Sequence, residues 1–599
     1  MLDLLIRGGA LVDGTGAAPY SADLGVQDGR IVEIGSITQA ARETVDASGA
    51  WVTPGFVDIH THYDGQATWD ATFSPSIHHG VTTIVMGNCG VGFAPLRPGS
   101  EDRLIKLMEG VEDIPGAALK EGVRFAWDSF GEYMNALDAM PHSLDYLAMV
   151  PHDPLRMRVM GARAEAREVA TPDDIAAMRE LLKAALDAGA AGFSTGRSDN
   201  HRTAEGHDTP ASIANAAELC GLAQAFEGRQ HGVVQVVSDF DLMQGPGGFD
   251  AEFELVEQLA RVSGRPLSMT WLQRDPGGEQ YLAIQARVEA AVAQGLPLYL
   301  QTAARGIGVI IGLEASFHPF MGFPGYKEIA SLPIAERAAA MRVAARKAQI
   351  LGEKSDRLAG DGTPIPPLVD LLLARIEQIA GRMFPLDATL NYEPDVMQSF
   401  LVLAKQRGCS AMEALYDHFS AGDGGGLVYF PIFNYNQGSL DTVRQMLMHP
   451  RALFGLGDAG AHVGTICDAS FSTFMLSHWV LGRTHDRLPL AQAVAMMSLR
   501  NAQYLGLSDR GRLALGLRAD LNVIDPARLR LNLPQLVRDL PAGGKRFLQT
   551  AQGYVGTWVA GQAVARDGKV TDARPGRLVR LSQPTQRHRL GKKSMLANF

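Results

Sequence analysis

The sequence is poor in cysteine. Cys89, Cys220, Cys409 and Cys467 are its only four, spread over 599 residues. They are too few and too scattered for a disulfide framework, which excludes the stapled secreted scaffolds and favours a reducing compartment. An excess of positive charge is missing too: 55 Lys and Arg face 65 Asp and Glu, net −10, which speaks against a nucleic-acid binder. No uncharged apolar run approaches the roughly 18–20 residues of a membrane span. The first residues, MLDLLIRGGALVDGTG, carry neither a basic segment nor a long apolar core, so no secretory leader is expected. These absences leave a cytoplasmic protein with neither membrane nor nucleic acid as partner. Its hydrophobic content of 46% is ample for a large core, and its length exceeds one ordinary domain.

The chain ends share a texture. LDLLIRGGALVDG and ADLGVQDGRIVEIG near the start, and GRLALGLRADLNVID (511–525) and GYVGTWVAGQAVARDGKV (553–570) near the end, alternate apolar and polar residues around glycine turns. Together they predict a small β-sandwich built from 1–53 and 508–579. Between them, eight near-continuous apolar runs alternate with helical periodicity: 55–62, 81–90, 144–150, 191–196, 232–240, 266–272, 296–303 and 452–460. The fold class is therefore α/β, a distorted TIM (β/α)8 barrel inserted in the sandwich, with strands one to seven in 54–303 and strand eight with the last helix in 452–507. The long stretch 304–451 is expected to be a lid or subdomain, helical over 331–353 and 366–381, although a structural or oligomerisation insert fits equally. The basic tail 580–599 is expected to be solvated or to clasp another subunit.

In such a barrel, side chains at the C-terminal strand ends converge on one mouth. The first run, GFVDIHTHYD, ends in His60 and His62, two residues apart and so on one face of a strand. A lone pair of this kind is a weak signal. The second run ends in MGNCG, placing Cys89 at the same level, and the eighth in GLGDAGAH, placing Asp458 there. Two imidazoles, a thiol and a carboxylate can supply a metal site and a general base, and a thiolate favours zinc over magnesium or calcium.

PGFVDIHTHYDGQATWD followed by HHGVTTIVMGNCGVGFAP closely resembles the D-aminoacylase branch of the amidohydrolase superfamily, the N-acyl-D-amino-acid deacylases. The likeness extends to GLGDAGAH and to RGRLALGLRADLNVIDP. It implies a β-sandwich plus a metal-dependent barrel, with His60, His62 and Cys89 as metal ligands. It also implies that Asp458 takes a proton from the hydrolytic water and hands it to the leaving nitrogen. The family also draws one histidine from strand five and one from strand six. Here those places fall at Val237 or Ser238 and at or beside Trp271, so the expected site is the reduced half-site of His60, His62, Asp458 and Cys89, with one Zn2+ or another divalent ion. His152, His201, His207 and His462 are candidate replacement ligands or substrate contacts.

The expected reaction is hydrolysis of a C–N amide bond in a small N-acyl amino acid, with His152 or His201 stabilising the oxyanion. A substrate carboxylate calls for an arginine. Arg197, Arg202, Arg274 and Arg305 all follow strand ends; Arg197 and Arg202 are favoured because they share a loop with Asn200 and His201. Tyr435 is expected to cover an acyl or aryl group. Two other readings stay open: a cyclic-amide hydrolase or deaminase of the same superfamily, and a non-catalytic binding or assembly protein. Homo-oligomerisation is left open as well.

Overall fold

The computed structural model describes residues 1–198, 200–240, 246–274, 278–358 and 367–581. Eight short strands form one parallel sheet: β1 (Phe56–Asp58), β2 (Val81–Met86), β3 (Asp145–Pro151), β4 (Gly192–Arg197), β5 (Val233–Ser238), β6 (Leu267–Thr270), β7 (Leu298–Thr302) and β8 (Ala452–Phe454). Neighbours follow sequence order from β1 to β8. Just past the strand ends, a parallel bridge between Thr61 and Ala459 draws the two edges together. The expected barrel is present strand for strand. β2 (VTTIVM) and β5 (VVQVVS) are buried at every position, as strands covered on both faces must be. Val57, Ile59, Val85, Leu147, Met149, Val233 and Leu453 belong to one buried cluster.

The two chain ends meet in a nine-stranded sheet. Trp51–Pro54 pairs antiparallel with Leu521–Ile524, Val52 opposite Val523, over a core that includes Leu4, Ile6, Val26 and Trp558. This sheet is fastened to the N-terminal end of the barrel. Arg510 Nη1 lies 2.7 Å from Asp145 Oδ2 and Arg518 Nη2 lies 2.9 Å from Asp145 Oδ1; Asp145 opens β3 and is fully buried.

Between β7 and β8, the strands Ile307–Ile311, Phe384–Leu386 and Leu427–Phe433 make a small antiparallel sheet. This stretch has a buried cluster of its own, including Phe320, Phe323, Met341, Tyr416, Phe419 and Val428. The helical stretch expected over 331–353 is two helices, Ile334–Met341 and Ala344–Gly352, and that over 366–381 is Pro367–Ala374 and Ile376–Ile379. The insertion reaches the barrel mouth beside β6: Asn434 N–H donates to Gln273 O (3.0 Å), and Phe433 forms a bridge with Arg274. From residue 582 onward, the expected basic tail lies outside the described residues.

Candidate active site

β1 ends at Asp58, yet the backbone beyond it stays paired. Thr61 N–H donates to Val85 O (3.0 Å) and His62 N–H to Ala459 O (2.8 Å). The two-residue alternation therefore carries on, and the His60 and His62 rings face the mouth together with centroids 5.4 Å apart. After β2 the chain turns sharply against β4. A Cβ on Gly90 (φ +81°) would stand 2.6 Å from the Gly196 nitrogen, so glycine is required there. Cys89, itself at φ +58°, donates its N–H to Gln235 Oε1 (2.8 Å) and brings Sγ to 3.3 Å from His60 Nε2. Asp458 adopts φ +43° and sets Oδ1 at 3.1 Å from His60 Nε2 and 3.7 Å from His62 Nε2.

The far sides of both rings have acceptors. His60 Nδ1 lies 2.6 Å from Gln301 Oε1, and His62 Nδ1 lies 3.1 Å from Glu112 Oε1. At His60 the hydrogen bond on Nδ1 favours the tautomer protonated there and leaves the Nε2 lone pair for the shared centre; at His62 the Glu112 oxygen stands at ion-pair distance without a hydrogen bond. Ligand atoms of His60, His62 and Cys89 all lie within 4.8 Å of one another.

The centre is rich in buried carboxyl groups. Burial pushes Asp58 and Asp64 up to about 7. Burial, joined by the charges of Asp458 and Asp64, pushes Glu112 well above the usual carboxylate range. Burial also opposes the charge on Asp458, but the His60 and His62 imidazoles outweigh it and hold the group well below that range. His62 is driven down to about 4 by burial. Among the described residues, none of these four carboxylates is paired with a lysine or arginine. Two imidazoles, a thiol and a carboxylate oxygen, converging where acid exceeds base, suit a divalent cation. A second trio, Asp441, His485 and Asp486, is exposed, and its Asp441 is paired with Arg483.

A model described as the amidohydrolase family matches residues 43–354 and 406–565. The chain belongs to this family. As an amidohydrolase it is a hydrolase of C–N amide bonds. A D-aminoacylase of Alcaligenes xylosoxydans xylosoxydans is 40% identical over 195 residues, 32% of this chain and 37% of that relative. An N-acyl-D-glutamate deacylase of the same organism is 28% identical over 531 residues, covering 88% of this chain and 87% of the relative. The solved N-acyl-D-glutamate deacylase of Bordetella bronchiseptica, complexed with zinc and a phosphonate inhibitor, aligns over 97% of this chain and 99% of its own. Its TM-score is 0.61 at 26% identity. These relatives bear out the resemblance to the D-aminoacylase branch.

Several residues expected at the mouth of this amidohydrolase are engaged elsewhere. His152 is fully buried at the start of the helix His152–Met160, with Nδ1 on Thr195 Oγ1 and Nε2 on Glu218 Oε1, both at 2.9 Å. With both nitrogens occupied it is corrected from oxyanion partner to core histidine. Arg197 holds Glu252 with two nitrogens (2.6 and 2.9 Å) and the Ala214 carbonyl with the third, which leaves no fork for a substrate. Arg202 pairs with Asp208, Asn200 is exposed, and His207 is exposed on the same loop. Tyr435 is buried and donates to Pro394 O (2.6 Å) against Phe384, so it packs the insertion rather than a substrate. Arg305 is buried over Tyr392 and paired with Asp468 at 3.0 Å.

His201 does belong to the mouth. Its Nδ1 is buried without a hydrogen-bond partner among the described residues, and burial lowers it to about 4, with His462, His62 and Asp458 close enough to contribute. On β5, Val237 shares the face of Gln235, the residue that bonds Cys89. On β6 the inward residue is Thr270, in phase with Ser268, which bonds Gln301. Trp271 points the other way, donating Nε1–H to Tyr281 O (2.8 Å). Val237 and Thr270 thus occupy the places expected to hold histidines, and neither supplies nitrogen. Sequence reasoning missed Glu112, Gln235 and Gln301. Glu112 had a legible signal: in EDRLIKLMEGVE it falls on the buried stripe of Leu104, Ile105, Met108 and Val111, an acid where an apolar residue is expected.

Proposed function

We propose that this amidohydrolase is a metal-dependent N-acyl-amino-acid deacylase. The observation that carries the reading is the convergence of His60 Nε2, His62 Nε2, Cys89 Sγ and Asp458 Oδ1 in a buried, acid-rich mouth. His60, His62 and Asp458, with Cys89, would hold one ion; nitrogen and sulfur donors favour zinc. Such an ion, when bound, lowers the pKa of water and polarises a carbonyl.

The chain's own residues do the rest. Asp458 accepts a proton from the attacking water as its oxygen bonds the amide carbon, then returns it to the nitrogen as the C–N bond breaks, giving a carboxylate and an amine. His201, neutral at pH 7, faces the mouth to donate to the developing oxyanion. Arg274 replaces Arg197 and Arg202 as the carboxylate-binding candidate. It is buried and uses Nη2 on Ser238 O and Asp239 Oδ1, both at 3.1 Å. Its Nε and Nη1 have no partner among the described residues, and the Phe433 ring lies 5.9 Å from its guanidinium carbon. Two free donors on a buried guanidinium suit a carboxylate beside an apolar surface. We assign 304–451 as a subdomain bordering the mouth, and the cytoplasm as the compartment, supported by four unpaired cysteines.

Metal content of the purified protein, measured with a panel of N-acyl-D- and N-acyl-L-amino acids, cyclic amides and carboxylate-free amides, tests the reading. Zinc near one per chain, with turnover restricted to substrates bearing a free carboxylate, is expected. A zinc-loaded protein that ignores the N-acyl amino acids and opens cyclic amides would overturn it.

A further inference from the structure

Glu112 is the last residue of helix α1 (Glu101–Glu112), which follows the Cys89 turn in the chain. Its position is fixed from both sides. Its own carbonyl accepts the His462 N–H, and the next residue, Asp113, accepts from Thr465 Oγ1 at 3.1 Å, so the end of α1 is stitched to the loop carrying Asp458. Its side chain, 1% exposed, turns inward between two imidazoles: Oε1 is 3.1 Å from His62 Nδ1, and Oε2 is 3.7 Å from His462 Nε2. No lysine or arginine meets it among the described residues. A carboxylate buried without a cation is costly. Its contacts instead point through His62 toward the shared centre.

We infer that Glu112 is a positioning residue for the metal site: its Oε1 backs the His62 ring at ion-pair distance from Nδ1, keeping Nε2 toward Asp458 and Cys89, while its second oxygen faces His462 at the rim. The inference rests on the proposed metal dependence. The two rings are backed differently: His60 hydrogen-bonds a neutral amide, Gln301, whereas His62 is backed by the Glu112 carboxyl group.

The experiment compares wild type, Glu112→Ala and Glu112→Gln by zinc affinity in chelator competition, by the absorption spectrum of the cobalt-substituted protein, and by thermal unfolding of the metal-free forms. Glu112→Ala should bind zinc about 10–100-fold more weakly, the usual cost of losing such a partner. Its metal-free form should be no less stable than wild type, because an unpaired buried carboxyl has gone. Glu112→Gln, which keeps the side-chain shape and a carbonyl oxygen facing Nδ1, should stay within about threefold of wild type with an unchanged cobalt spectrum. Unchanged affinity in Glu112→Ala overturns the inference. So does equal loss in both variants, which would make Glu112 itself a ligand, and so does a destabilised metal-free Glu112→Ala, which would make it a packing residue. A wild type that binds no zinc removes the metal reading itself and is recognised before any variant is compared.

Discussion

Two buried histidine clusters lie within the same barrel, and they are built in opposite ways. Beside β4, His152, Glu218, Arg156 and Thr195 form a closed account: each imidazole nitrogen has a partner at 2.9 Å, and the carboxylate also binds a guanidinium. At the mouth, only His60 Nδ1 has a hydrogen bond behind its ring, with Gln301, and His62 Nδ1 stands 3.1 Å from Glu112 without one. Their Nε2 atoms crowd onto a thiol and a carboxylate, and three more buried carboxyl groups stand nearby with no lysine or arginine opposite among the described residues. The residue types are nearly the same. What separates structure from chemistry here is charge left unbalanced and lone pairs left aimed at a common point.

Breaking the open cluster should have the largest effect. Asp458→Asn removes the proton carrier, and kcat should fall about 10²–10⁴-fold with the fold intact by circular dichroism; a variant as active as wild type would shift the proton work elsewhere. Breaking the closed cluster should spare chemistry and cost stability. Glu218→Ala strands a buried Arg156 and should lose about 3–5 kcal/mol in denaturant unfolding. Bound zinc per folded chain should stay unchanged, and a fall in metal content would merge the two clusters into one site. Arg274→Ala sharpens the mouth from the substrate side: kcat/KM for carboxylate-bearing amides should drop roughly 10–100-fold, as for a lost charged hydrogen bond, while carboxylate-free amides are unaffected. Equal losses for both substrate types would assign Arg274 to packing.

The smallest effect concerns pH. His79 is another satisfied histidine, on Thr473 Oγ1 and Gln549 O at 2.9 Å each, and burial lowers it from 6.5 to about 3. Folded, it stays neutral; unfolded, it protonates. Between about 6.5 and 3 the unfolded state therefore holds the extra proton, and stability falls as pH falls. His79→Gln should flatten that decline by up to about 1.4 kcal/mol per pH unit, read from unfolding midpoints across the window. Parallel curves for the two proteins would show that His79 does not contribute.

The barrel was legible because strands buried on both faces need unbroken apolar runs, and all eight runs became strands. The convergence of His60, His62, Cys89 and Asp458, the proposed metal-facing residues, was legible for a related reason: each lies within a few residues of a strand end, so its direction follows from the strand. Residues whose role depends on a distant partner were not. Arg197 looked available because Glu252 is 55 positions away, and His152 because Glu218 is 66 away. The strand-six position could be narrowed only to Trp271 or a neighbour, because a four-residue strand such as β6 hardly constrains the phase. Glu112 was invisible to a search confined to strand ends, because a helix delivers it.

The clamp of Arg510 and Arg518 on Asp145 lies at the opposite end of the barrel from the mouth. It joins residues 510–518 to a strand laid down hundreds of residues earlier, so this fastening cannot form until synthesis has passed Arg518. A chain truncated before Arg510 would carry every residue of the proposed active site yet lack the fastening beneath it. Substitutions in the clamp should therefore change how much enzyme survives rather than how it works, giving this amidohydrolase a place where abundance can drift independently of specificity.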